Sequence, residues 1–304
     1  MLRDHVDSYL KIRRAAGFKL RDDENHLQSF SRYAVACGDT HVIANTAIAW
    51  AAQASSEAQR ANRLSAVIRF ARFSRATDPQ HEVPPQGVFC RQRHRPTPYL
   101  FSDEQVRALM SRAANLGPAG CLRPHTYSTL IGLLAATGLR ISEALGLRFE
   151  DITADGLMIR ETKFRKKRLV PIHPTTRTAL EHYLAKRRQI AACDNHVFIS
   201  QRCRPLAYIT VYRTFQKLVE DAGISVDSGL GRRPRLIDFR HTFASKALVG
   251  CREDRDHIGR HMLALMTYLG HAHPSSTFWY LESSPALMGD IVQACQRFIA
   301  EETS

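Results

Sequence analysis

Apolar positions recur with a helical period from Leu2 to about Thr77, and short polar breaks near Gly17, Gly38 and Ser55-Ser56 divide that stretch into four predicted helices. The last is the best defined, because Leu64, Val67, Ile68 and Ala71 fall on one narrow stripe that should face a core. Between Asp78 and Pro98 the pattern is lost. Pro79, Pro84, Pro85, Pro96 and Pro98 forbid a regular helix there, so a linker is expected. Ser102-Asp-Glu-Gln105 has the form of a capping box and opens a second helical region, with Val106, Leu109 and Met110 on its buried side. The next helix, about His125 to Ala136, should close at Thr137-Gly138, since glycine accepts the left-handed conformation that ends helices. "FEDI", "LMIR" and "RLVPI" are short, rich in branched residues and separated by Ala154-Asp155-Gly156 and a charged loop, which predicts a small antiparallel sheet. Helical patterning returns from Pro174 onward. The expected fold is mainly α with a small antiparallel β-sheet, in two domains: residues 1–77, a basic Pro-rich linker 78–98, and residues 99–304.

Composition narrows the partner. Forty-three Lys and Arg against 29 Asp and Glu give a formal charge of +14. That excess favours a polyanion, nucleic acid ahead of an anionic membrane. Arg60, Arg63, Arg69, Arg72 and Arg75 contribute to it but scatter around their helix, so a solvated basic surface explains them as well as groove contact does. Arg91, Arg93 and Arg95 in the linker could follow a phosphate backbone. Seven widely spaced cysteines, an odd number without a C-x-x-C pair, read as free thiols in a reducing compartment. His271-x-His273 lacks the carboxylates or thiolates that would complete a metal site, so neither metal nor cofactor is expected. No apolar run is long enough to span a membrane, and the first residues lack a secretory pattern; a cytoplasmic protein is expected.

Three stretches carry candidate chemistry. In "TGLRISEALGLRFEDI", Arg140 stands just beyond a glycine turn, at the entrance to a helix expected to be capped by Ser142. In "RLIDFRHTFASKAL", Arg240 opens another helix whose apolar stripe includes Phe243 and Ala247. Two arginines so placed could grip one phosphate. In "TYLGHAHPSSTFWYLESSP", Tyr280 follows His271 by nine positions; most tyrosines only pack, so the residue needs support from elsewhere.

That support comes from a resemblance. "TGLRISEAL", "TKFRKKRLVPIH", "DFRHTFA" and "YLGHAHPSSTFWY" occur in the order and approximate spacing of the tyrosine site-specific recombinases, the phage-integrase family, over roughly residues 99 to 300. The resemblance implies a helical DNA-clamping domain before the linker and a catalytic domain after it. It implies that Tyr280 attacks a DNA phosphodiester to form a 3′-phosphotyrosine and release a 5′-hydroxyl, without ATP or metal. Arg140 and Arg240 would neutralise the non-bridging oxygens, and His271 would hydrogen-bond one of them. Lys163 would protonate the leaving oxygen, with Lys166 and Lys167 on the same loop as alternatives. Glu143 would orient the site, although an ordinary first-turn carboxylate beside the helix dipole explains it nearly as well. His273 is expected at the surface.

The chain departs from the family at Ile237, three residues before the second arginine, where histidine or lysine is usual. His241, His271 or water would then receive the tyrosine proton. The partners implied are double-stranded DNA, three further copies in a homo-tetramer on two DNA sites, and accessory proteins. "SPALMGDIVQACQRFIA", Ser284 to Ala300, forms an amphipathic helix expected to dock on a neighbouring subunit more readily than on its own domain. A non-catalytic DNA-binding regulator and a type IB topoisomerase-like enzyme are the alternative functions.

Overall fold

A computed structural model of the chain describes residues 2–18, 20–89, 97–118, 120–160, 167–190, 194–224, 232–249, 255–271, 273 and 277. The backbone divides into two compact units, Met1–Arg95 and Pro96–Ser304.

The first unit contains the four expected helices: α1 (Leu2–Ala15), α2 (Arg21–Ala36), α3 (Ala44–Ala52) and α4 (Glu57–Arg75). Ser56 caps α4 by accepting a hydrogen bond from the Gln59 amide, which satisfies one orphan N–H of the first turn. The predicted stripe of α4 is buried, and Ala66 and Phe70 are buried beside it, so the helix is covered over a wider arc than its four-residue stripe indicates. Tyr9, Phe30, Trp50, Val67 and Phe70 form the centre of the core. Arg69 turns back to Asp23 in a two-bond ion pair.

The first part of the Pro-rich stretch packs on this core instead of linking. His81 and Pro84 are buried, Val83 and Phe89 lie against the core, and the Glu82 carboxylate accepts from the Ala44 amide at 2.7 Å. Prolines exclude a helix but not close packing. His81 is 1% exposed, with Nδ1 accepting the Val42 amide at 3.0 Å; its ring lies 5.2 Å from His5 and 5.1 Å from His41.

In the second unit Ser102 and Gln105 form the expected capping box at the start of α5 (Asp103–Ala114). Leu109 is fully buried, while Val106 and Met110 are partly covered. Then come α6 (Arg123–Thr137) and the short α7 (Ile141–Leu145). "FEDI" does not form a strand throughout: Phe149–Asp151 make a 3-10 turn, tightened by the Asp151 carboxylate accepting the Arg148 amide at 2.9 Å. The strands are β1 (Ile152–Thr153), β2 (Gly156–Ile159) and β3 (Arg168–Val170), antiparallel in the order β1-β2-β3. Four helices follow, α8 (Pro174–Arg188), α9 (Tyr208–Asp221), α10 (Asp238–Val249) and α11 (Arg255–Leu269).

Helix α6 lies within this unit's core and packs against α5, α8 and α10. Phe101, stacked on Phe239 at 4.5 Å, brings the chain entering the unit onto α10. The Phe101 amide also donates to the Thr242 hydroxyl. A smaller cluster of Ala244, Leu248, Met262, Leu265 and Leu269 joins α10 to α11. Together these contacts carry the ends of α6, α10 and α11 toward one place.

Candidate active site

Gly138 ends α6 in the left-handed conformation, with φ of 59°. A Cβ there would meet Phe243 Cδ1 at 2.7 Å, so both conformation and space require glycine. The turn sets Arg140 at the N-cap position of α7. Ser142 lies inside the helix and is not its cap: a carboxylate three residues on reaches back instead, Glu143 Oε2 accepting the Arg140 amide at 3.0 Å.

Arg240 approaches from α10. It is 2% exposed, and its Nη1 donates to the Gly138 carbonyl at 2.9 Å while Nη2 donates to the Leu269 carbonyl at 2.7 Å. Arg140 Nη1 donates to Glu143 Oε1 at 2.8 Å and reaches the same Leu269 carbonyl at 3.5 Å. Two guanidinium groups separated by a hundred residues therefore meet at one carbonyl, the last residue of α11. Helix C-terminal carbonyls lack intrahelical donors and carry partial negative charge, which makes that end a natural anchor for cations. Arg140 remains 30% exposed at its side chain.

Arg168 completes the group. Its Nε donates to the Tyr268 carbonyl at 2.8 Å, and its terminal nitrogens donate to both oxygens of Glu143, at 3.0 and 2.8 Å. Burial alone would raise the Glu143 carboxyl, but the hydrogen bonds and charge of Arg168, with the bonds from Arg140, outweigh it and hold it below the ordinary carboxylate value. Glu143 is thus the counter-ion shared by two arginines.

Gly270, with φ of 67°, turns the chain out of α11 directly beside Arg168, where a Cβ would lie 2.9 Å from Nη1. His271 follows, and its Nδ1 is 2.6 Å from the buried Thr277 hydroxyl. Burial and then the charges of Arg240, Arg140 and Arg168 push His271 down to about 4, so the imidazole is neutral near pH 7.

The sequence profile of the phage integrase family matches residues 100–286, the span that holds all these groups. The chain belongs to the phage integrase family. This recombinase is 40% identical over 308 residues to the putative integrase/recombinase y4rB of Sinorhizobium fredii, an alignment that covers 97% of each chain. It is 29% identical to the tyrosine recombinase XerD of Brucella abortus, over 80% of this chain and 77% of that one. The structure of the XerH site-specific recombinase bound to palindromic difH substrate superposes with a TM-score of 0.66, covering 90% of this chain and 78% of that one at 15% identity, which identifies the fold.

Of the recombinase's expected site residues, the structure brings Arg140, Arg240, His271 and Glu143 together. Tyr280, Lys163, Lys166 and the segment Ser284 to Ala300 lie outside the described residues. Lys163 belongs by sequence to the loop between β2 and β3, and Lys167 at the end of that loop is exposed. His273 is exposed, as expected. His241 faces Asp238, its Nδ1 3.0 Å from Oδ1. Ile237 is partly buried, one residue before α10. Among the described residues no group of His, Cys, Asp or Glu has metal-binding geometry, and no helix is long and apolar enough to cross a membrane.

Two residues that hold the site together stand within the quoted motifs without an expected role. Arg168 stands in "KKRLVPI"; in β3 it shares the inward register with the fully buried Val170 while Leu169 is 39% exposed, an inversion of the usual placement that only the structure reveals. Asp238 is fully buried, accepting Arg232 Nη1 at 2.9 Å, the Arg235 amide at 2.8 Å and a contact from His241. Burial works against its charge, but the hydrogen bonds of His241, Arg232 and the Arg235 amide pull its carboxyl down to about 2. It fixes the turn from which Arg240 departs.

Proposed function

We propose that the chain recombines DNA at defined sites by the attack of Tyr280 on a phosphodiester seated over Arg140, Arg240 and His271. The observation that carries this reading is the meeting of both guanidinium groups at the Leu269 carbonyl, one residue before the glycine that presents His271. Attack on phosphorus concentrates charge on the non-bridging oxygens, and fixed cations in a partly water-excluded site stabilise that charge without reorganising. Neutral His271 adds an N–H donor without a further positive charge.

Tyr268, whose carbonyl accepts from Arg168, is a poor nucleophile. Burial, only partly offset by Arg168, pushes Tyr268 up to about 12, and its hydroxyl donates to the Pro171 carbonyl at 3.4 Å. Tyr280, nine residues beyond His271, suits the attack in the order the family motifs give. The products are a 3′-phosphotyrosine and a 5′-hydroxyl, the latter protonated by Lys163; a second strand's 5′-hydroxyl then reverses the ester. The tyrosine proton passes to His241, His271 or water in place of the group that Ile237 lacks.

The first unit binds DNA through the cations of α4, helped by the arginines that the sequence places at 91, 93 and 95, and four copies assemble on two duplexes. A nicked suicide duplex bearing the target site tests the reading. The wild type should form an adduct that survives denaturation, and Tyr280→Phe should bind the same DNA without forming it. Binding without any wild-type adduct would favour a regulator instead.

A further inference from the structure

We propose that Arg168 is a positioning residue for phosphate-charge stabilisation, resting on the recombinase reading above. Its guanidinium spans three elements. From β3 it holds both oxygens of Glu143 in α7 and the Tyr268 carbonyl at the end of α11. Glu143 in turn holds the Arg140 amide and Nη1, and the residue after Tyr268 supplies the carbonyl shared by Arg140 and Arg240. One side chain therefore fixes the separation between the element that presents Arg140 and the element that presents His271.

Its pairing argues against a direct role. Nε and both terminal nitrogens of Arg168 donate to protein oxygens, and two of these bonds set its charge against the Glu143 carboxylate. Lysine could not reproduce the arrangement, because a point charge offers neither the paired donors that match a carboxylate nor a third nitrogen aimed elsewhere. The glycine at 270 belongs to the same device: at 2.9 Å from a notional Cβ, Arg168 occupies the space any side chain there would need. Arg168 also adds positive charge close to His271.

If Arg168 acts by aiming cations at the phosphate, its loss should matter less when the phosphate needs less charge stabilisation. Single-turnover adduct formation would be measured on two nicked duplexes, one with the ordinary scissile phosphodiester and one with a methylphosphonate, in which a methyl group replaces a non-bridging oxygen and removes the negative charge. Arg168→Met should slow cleavage of the phosphodiester by about 30-fold or more, the scale of losing one transition-state donor or part of two. DNA affinity should stay within about threefold of wild type. In at least one methylphosphonate stereoisomer the deficit should shrink to about threefold or less, as it should for Arg140→Ala, and Arg168→Lys should fall between.

The ratio of the two rates in one preparation does not depend on the fraction of molecules that is folded, so a variant that folds poorly still reports. Wild-type cleavage by Arg168→Met, or a deficit of equal size on both substrates in both Arg168 variants, would overturn the proposal. A wild type that binds but never forms an adduct on the phosphodiester would overturn the recombinase reading, and the Arg168 assignment with it. Loss of adduct in the variants alone, unequal between substrates, separates the two.

Discussion

Asp238→Asn tests how the chain holds Arg240 in place. The carboxylate lies at zero exposure and receives a guanidinium, a backbone amide and an imidazole. Asparagine keeps one acceptor oxygen and turns the other into an NH2 facing donors, so at least one of these partners loses its bond. A carboxyl held at about 2 instead of 3.8 ties its ionised form to the folded state by roughly 2 kcal/mol. Because the folded value is depressed, that stabilisation is complete above the unfolded value near 4 and disappears as pH falls through about 2. Urea unfolding at pH 7 should therefore place Asp238→Asn about 2 kcal/mol or more below wild type. The gap should narrow once the pH drops below 4. Cleavage of a suicide duplex should fall as well, since the turn before Arg240 loosens. A variant as stable as wild type at pH 7, or a gap that widens on acidification, would refute the reasoning.

Other outcomes follow from the same geometry. Gly138→Ala should cost about 1–2 kcal/mol in the left-handed conformation, displace Phe243 and reduce adduct formation by about tenfold, because the Gly138 carbonyl anchors Arg240; a fully active, equally stable variant would contradict this. Arg240→Lys should lower the rate of adduct formation at saturating DNA by about a hundredfold, whereas a change in DNA affinity alone would assign it to binding. His81 is held below its ordinary value by burial, then by His5 and His41, with Asp78 opposing. A depressed histidine destabilises the fold as pH falls below its unfolded value near 6.5, and a protonated Nδ1 cannot accept the Val42 amide. The Trp50-reported unfolding midpoint of the first unit should be level above pH 7 and drop toward pH 5.5; a midpoint that rises on acidification would count against the buried neutral imidazole.

The sequence was most legible where one local rule decided the outcome. Four helices, the Ser102 capping box, the Gly138 stop and the hairpin strands each follow from periodicity, a cap or a turn residue, and the two motif arginines could be placed at helix entrances for the same reason. Less legible were features set by distant contacts. Ser142 looked like a cap because its type suits one, but Glu143 reached the Arg140 amide first and Ser142 became part of the helix. The proline-rich stretch offered no periodic pattern, so nothing local announced that His81, Pro84 and Phe89 would pack on the first unit. Arg168 was obscured because its partners Glu143 and Tyr268 lie 25 and 100 residues away, and Asp238 because the turn that gathers Arg232, the Arg235 amide and His241 around it has no periodic pattern.

The atom to which DNA becomes attached decides the mechanism. Protease digestion and mass spectrometry of the trapped complex would identify the modified peptide and the polarity of the link. The prediction is a nucleotide joined through its 3′-phosphate to the phenolic oxygen of Tyr280, in an amount that collapses when either Arg140 or Arg240 is replaced. A link through another residue, through a 5′-phosphate, or one formed at full rate without those arginines, would contradict it.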